Sequence, residues 1–140
     1  MLHYKFSRKD MSREIKFRAW VPTNNGEMMK VEEIEWNEDG SIKEIDTGYN
    51  FSDKYNPEQL NDVILMQFTG LFDKNEKEIY EGDILNVNSN AVVEWNYELV
   101  GFITSNRDPE KPFYNILWAS LVREGLAEVI GNIYENSDLL

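Results

Sequence analysis

From Glu14 to Val21 apolar and polar positions alternate. Ile15, Phe17, Ala19 and Val21 fall on one face, Glu14, Lys16, Arg18 and Trp20 on the other, the period of a half-buried strand. Met28 to Trp36 is also β-rich, but its apolar parity shifts across Glu32-Glu33, which predicts a bulge or bend. Asp39-Gly40 supplies a tight turn into Ser41 to Ile45. The N-terminal third therefore reads as a small antiparallel meander.

Between Asp46 and Asp62 the chain becomes polar and rich in breakers, with Pro57 to Leu60 able to form one helical turn. This stretch predicts a seam between two lobes, 13–62 and 63–140, preceded by a tail over 1–12. Val63 to Phe68 is an almost unbroken apolar run, as in a strand covered on both faces. Asp73 to Glu76 reads as a turn, and Gly82 as a bulge or sharp bend between Tyr80 and Ile84. Ala91–Trp95 and Val100–Thr104 predict a hairpin closed by Asn96 to Leu99. Phe113–Trp118 predicts a further strand, Ala119–Glu124 a short helix ending at Gly125, and Glu128–Tyr134 a last strand. Many short strands and no long amphipathic helix argue for a mostly β barrel or sandwich with one or two short helices.

The 140 residues include 26 Asp and Glu against 14 Lys and Arg, a formal net charge of -12. A surface of that sign disfavours direct nucleic-acid binding, which depends on Lys and Arg neutralising phosphates. The chain has no Cys and a single His, His3, so disulfides, thiol catalysis, zinc fingers, a Ser-His-Asp triad and a multi-histidine metal site are excluded. The absence of Cys leans towards the reducing cytoplasm. The tail lacks a signal-peptide core and the run Val63 to Met66 is too short to span a bilayer. Without a secretion signal the sequon at Asn50-Phe51-Ser52 carries little weight. The expectation is a cytoplasmic protein with no membrane contact.

Two sets of side chains could carry function. Glu76, Glu78, Glu81 and Asp83 sit close together, and alternate positions on a strand share a face, so Glu76 with Glu78, or Glu81 with Asp83 across Gly82, could hold Mg²⁺, Mn²⁺ or Ca²⁺, or act as general acid and base, with Glu78, Glu81 and Asp83 the metal candidates. A solvated edge, with Asp83 bonding local backbone, is the favoured alternative. Asp73-Lys74-Asn75 begins like a calcium loop but fails at Lys77 and Glu78. The second set is aromatic. Phe68, Phe102 and Phe113 read as core, whereas Trp20 lies on the polar face of its strand and is the leading interface candidate, with Tyr80 and Trp95 as further ring candidates. Gln67, polar within an apolar run, would need amide partners, most simply a bond pinning the two lobes. No sequence signal calls for a cofactor, and phosphate-binding Gly-rich loops are absent.

Three stretches resemble the YopX family of phage and prophage proteins: Arg13-Glu14-Ile15-Lys16-Phe17-Arg18-Ala19-Trp20; Leu65-Met66-Gln67-Phe68-Thr69-Gly70-Leu71 running on through Glu78-Ile79-Tyr80-Glu81-Gly82-Asp83-Ile84-Leu85; and Glu128-Val129-Ile130-Gly131-Asn132-Ile133-Tyr134-Glu135-Asn136. Their order spans Arg13 to Leu140. The resemblance implies a small β-rich protein whose Glu81 to Leu85 segment is an SH3-like barrel strand, and it implies no reaction or catalytic residue. Two departures stand out, Glu76 where Gly is expected and Ser137 where Pro is expected. With Glu at 76, Asn75 is expected to take the left-handed turn position.

The sequence thus favours a non-enzymatic phage or prophage accessory module acting on a host or phage protein, with a homo-oligomer open. The alternatives are a metal-dependent hydrolase using Glu78, Glu81 and Asp83, and an acidic mimic of DNA that occupies a host DNA-binding protein.

Overall fold

The computed structural model describes residues 14–22, 26–48, 54–55, 62–116 and 118–140. The tail, Arg13, the sequon and the turn expected at Pro57–Leu60 lie outside the described residues. The architecture is mostly β with antiparallel sheets, a half-barrel and a single α-helix among the described residues.

Strands β1 (Phe17–Val21), β2 (Glu27–Lys30), β6 (Ile64–Phe72) and β7 (Glu78–Tyr80) form one sheet in the order β2-β1-β6-β7. A second sheet joins β3 (Glu33–Trp36), β4 (Ile42–Asp46) and β5 (Lys54–Tyr55) in chain order. The parity shift at Glu32-Glu33 is therefore a change of sheet rather than a bulge within one strand. The third sheet runs β11-β10-β9-β8-β12, built from β8 (Asp83–Val87), β9 (Ser89–Asn96), β10 (Gly101–Ser105), β11 (Tyr114–Asn115) and β12 (Glu128–Asn132). β1 pairs with β6, Arg18 opposite Met66, so hydrogen bonds cross the 62/63 position between the two expected lobes.

The interior of the third sheet gathers Ile79, Leu85, Val93, Val122, Ala127 and Val129 around Trp118. Burying each large apolar side chain contributes about 1.5–3 kcal/mol, so this cluster is a substantial part of what holds the C-terminal half together. Trp118 belongs to α1 (Trp118–Arg123), not to the strand expected at Phe113–Trp118, which shrinks to β11. Its indole N–H donates to the Phe102 carbonyl at 2.8 Å. α1 stops at Gly125, φ +73°, with Gly125 N donating to the Val122 carbonyl and Leu126 N to that of Leu121.

Two further expectations need correction. Phe113 is 60% exposed rather than core, because the loop ahead of it is closed by its own polar groups, Asn106 Oδ1 accepting from Phe113 N at 2.9 Å. In the turn after β6 it is Glu76 itself, φ +64°, that adopts the left-handed conformation, not Asn75. Asp73 makes this possible, since its Oδ1 accepts from both Asn75 N and Lys77 N while its Oδ2 reaches Val129 N at 2.9 Å.

Candidate functional site

Lys16, just before β1, shares the polar face of the strand with Arg18 and Trp20, and all three are partly buried. Arg18 Nη2 bonds Asp83 Oδ1 at 2.8 Å and the Glu81 carbonyl at 3.2 Å, while its guanidinium lies 4.8 Å from the Tyr80 ring centre. Asp83 is 1% exposed, and its Oδ2 accepts from Tyr80 N at 2.8 Å, the local bond expected of an Asp three residues on. Burial pushes the Asp83 carboxyl above the ordinary aspartate value, opposed by the Arg18 charge and the Tyr80 N–H. Lys16 lies 4.6 Å from the Phe68 ring centre and pairs with Glu78 and Glu14. Its hydrogen bond to Glu78 raises the Lys16 pKa and lowers that of Glu78. The Tyr80 hydroxyl donates to Glu78 Oε2 at 2.8 Å, and burial foremost, with that bond, pushes its pKa up to about 12.

The three acids thus share no partner atom. Glu78 faces Lys16 and Tyr80, Asp83 faces Arg18, and Glu81 accepts from Gln67 N through Oε2 at 3.4 Å. Among the described residues no three His, Cys, Asp or Glu side chains group so as to hold a metal ion. Asp73, buried like Asp83, shifts the other way. Burial alone would raise it, but three backbone N–H donors hold its carboxyl below the usual range.

The ring candidates part company. Tyr80 is 8% exposed and lies beneath Arg18, so its ring is removed from the surface. Trp20 is half-buried and stacks on Tyr134, ring centres 5.6 Å apart, tying β1 to the segment after β12. A Cβ at Gly26 would come within 2.2 Å of the Trp20 ring, so only glycine, here with φ +79°, fits beneath it. Trp95 packs edge-on against Phe102 directly across the β9–β10 pair, centres 5.2 Å apart. Gln67 uses its backbone, its carbonyl accepting from Glu81 N at 2.9 Å.

The residues most open to a partner are others. The β9–β10 hairpin tip exposes Tyr97 at 87%, Leu99 at 54% and Val100 at 73%. Val100 sits at φ +51°, an arrangement that costs a β-branched residue about 1–2 kcal/mol. A polar cavity of about 350 Å³ opens between Glu94, Arg107, Asp108 and Tyr114, and an apolar groove of about 450 Å³ runs between Ile15–Phe17 and Val31–Trp36.

The family of the YopX protein matches residues 16–140, nearly the whole chain. The chain belongs to the YopX family. Among solved structures, protein EF1440 from Enterococcus faecalis is 27% identical, the match covering 92% of this chain and 99% of that one with a TM-score of 0.57. Protein yopX from Bacillus subtilis is 18% identical over 89% of this chain and 95% of that one, TM-score 0.50, a likeness of fold alone. No curated protein matches. The signature blocks of this YopX chain supply the cluster under the polar face of β1: the β1 block brings Lys16, Arg18 and Trp20, the β6–β8 block Glu78, Tyr80 and Asp83, with Met66 Sδ 3.8 Å from Arg18 Nη2, and the last block Tyr134. Sequence reasoning missed the pairing of Arg18 with Asp83, 65 positions apart, and the exposed hairpin tip, for which nonpolar residues at a predicted hairpin loop were the available signal.

Proposed function

We propose that this YopX-family chain is a non-enzymatic accessory protein of phage or prophage that works in the bacterial cytoplasm by contact with a host or phage protein. The observation that carries the reading is the hairpin tip, where Tyr97, Leu99 and Val100 stand out of the fold on a backbone strained at Val100. Exposed apolar groups clustered on a held loop mark contact surfaces. The hydrolase alternative draws no support from Glu78, Glu81 and Asp83, each engaged by a different structural partner.

The test is affinity capture from a bacterial host lysate with the wild-type chain and with a Tyr97→Asp/Leu99→Asp/Val100→Asp variant. A defined protein retained by the first and lost by the second is expected, at equal thermal stability. Identical retention by both, or none above bare resin, would overturn the reading.

A further inference from the structure

The groove beside β3 lies where two strand ends diverge. Val31 N donates to the Phe17 carbonyl at 3.2 Å, ending the β1–β2 ladder. β3 then leaves to pair, among the described residues, with β4 alone, as the outermost strand of its sheet. The opening exposes Ile15 at 66% and Trp36 at 55%, with Glu32 and Glu33 among the groove residues. On β3 itself Glu33 and Glu35 alternate with Ile34 and Trp36, so carboxylates and apolar groups point to opposite faces of one free edge. Glu33, Glu35, Glu44 and Asp46 line a cleft on the same small sheet.

We propose that this edge receives an extended basic segment of a partner protein as an added strand, with apolar residues at every second position and Lys or Arg between them. The apolar positions meet Ile34, Trp36 and Ile15, and the basic ones meet Glu33 and Glu35 across the strand pair. Backbone bonds to an open edge give affinity, and alternate side chains give selectivity. A chain of net charge -12 attracts such a segment and repels an acidic one. Charges on an edge strand also serve to block unwanted pairing; that reading leaves the exposure of Trp36 beside them without a role and predicts no binding. The proposal rests on the reading that the protein acts by contact, and specifies the partner's chemistry at a second surface.

The probe is a fluorescein-labelled heptapeptide alternating lysine and valine, titrated by anisotropy at about 0.15 M salt, where exposed charges are screened beyond about 8 Å. Two controls are a peptide of the same composition with its lysines in one block, and the alternating peptide N-methylated at every second residue. The alternating peptide is expected to bind at least about tenfold more tightly than either control, and Trp36→Ala and Glu33→Lys/Glu35→Lys to weaken it about tenfold each with unchanged melting temperature. Equal binding of all three peptides, no binding, or indifference to Trp36→Ala would overturn the proposal. Binding by the Tyr97→Asp/Leu99→Asp/Val100→Asp variant is expected to persist. Loss of peptide binding with host capture intact defeats this inference alone, whereas failure of capture defeats the broader reading.

Discussion

The seam under β1 and the edge of β3 use the same residue types to opposite ends. Under β1, Arg18 and Asp83 are 13% and 1% exposed, and the pair is joined by Tyr80 N, the Glu81 carbonyl and an aromatic ring, with Arg18 Nε buried and unpaired among the described residues. At the edge, Glu35 and Lys43 pair while 50% and 53% exposed, and Trp36 stands open beside them. Burial makes the first set structural, because an ion removed from water must keep its counter-ion, while the second stays available to a newcomer at little cost. Acid content alone therefore says nothing about chemistry in this molecule; what matters is which acids are enclosed.

Deleting half of the enclosed pair should give the largest effect. Asp83→Ala leaves Arg18 charged and buried, and urea unfolding is expected to show a loss of about 3–5 kcal/mol. A double change, Arg18→Met with Asp83→Leu, should recover much of that loss, and no recovery would mean the pair does more than balance charge. Next comes Asp73→Asn, which weakens the acceptor shared by Asn75, Lys77 and Val129 and should cost about 1–3 kcal/mol at neutral pH. Because the folded Asp73 carboxyl sits below its ordinary value, its contribution is present above about pH 4 and lost as pH falls through the folded value. The variant should accordingly flatten the acid limb of a stability-against-pH curve, and an unchanged limb would count against the bonding described.

Smaller effects separate the surfaces from the seam. Val100→Gly removes left-handed strain and should raise stability by about 1 kcal/mol while weakening host capture; a parallel rise or fall of both would break the link between strain and contact. Lys16→Ala cuts an ion pair whose Glu78 side chain is 37% exposed, so its cost should be the smallest of this set and shrink with added salt in thermal melts.

Legibility followed the range of the interactions. The alternation over Glu14–Val21 located β1, and Gly125 the end of α1, because period and cap chemistry are local. The polar face of β1 was legible as a face but not as a covered one, since its partners come from β6, β7, β8 and the segment after β12. Phe113 was misread for a related reason: an apolar residue beside a β-rich run is core only if the chain brings a second layer over it, and the loop at Asn106 carries it outward instead. Glu78 and Asp83 were found by spacing, yet their roles were set by Lys16 and Arg18, more than sixty positions away.

The central claim is that Glu78, Glu81 and Asp83 are taken up by separate partners within the fold rather than gathered on a cation. Calorimetric titration of Mn²⁺ and Mg²⁺ into the wild-type protein tests it most directly. The account predicts no stoichiometric heat; a saturable one-to-one isotherm abolished by Glu78→Gln or Glu81→Gln, in a protein still folded, would contradict it.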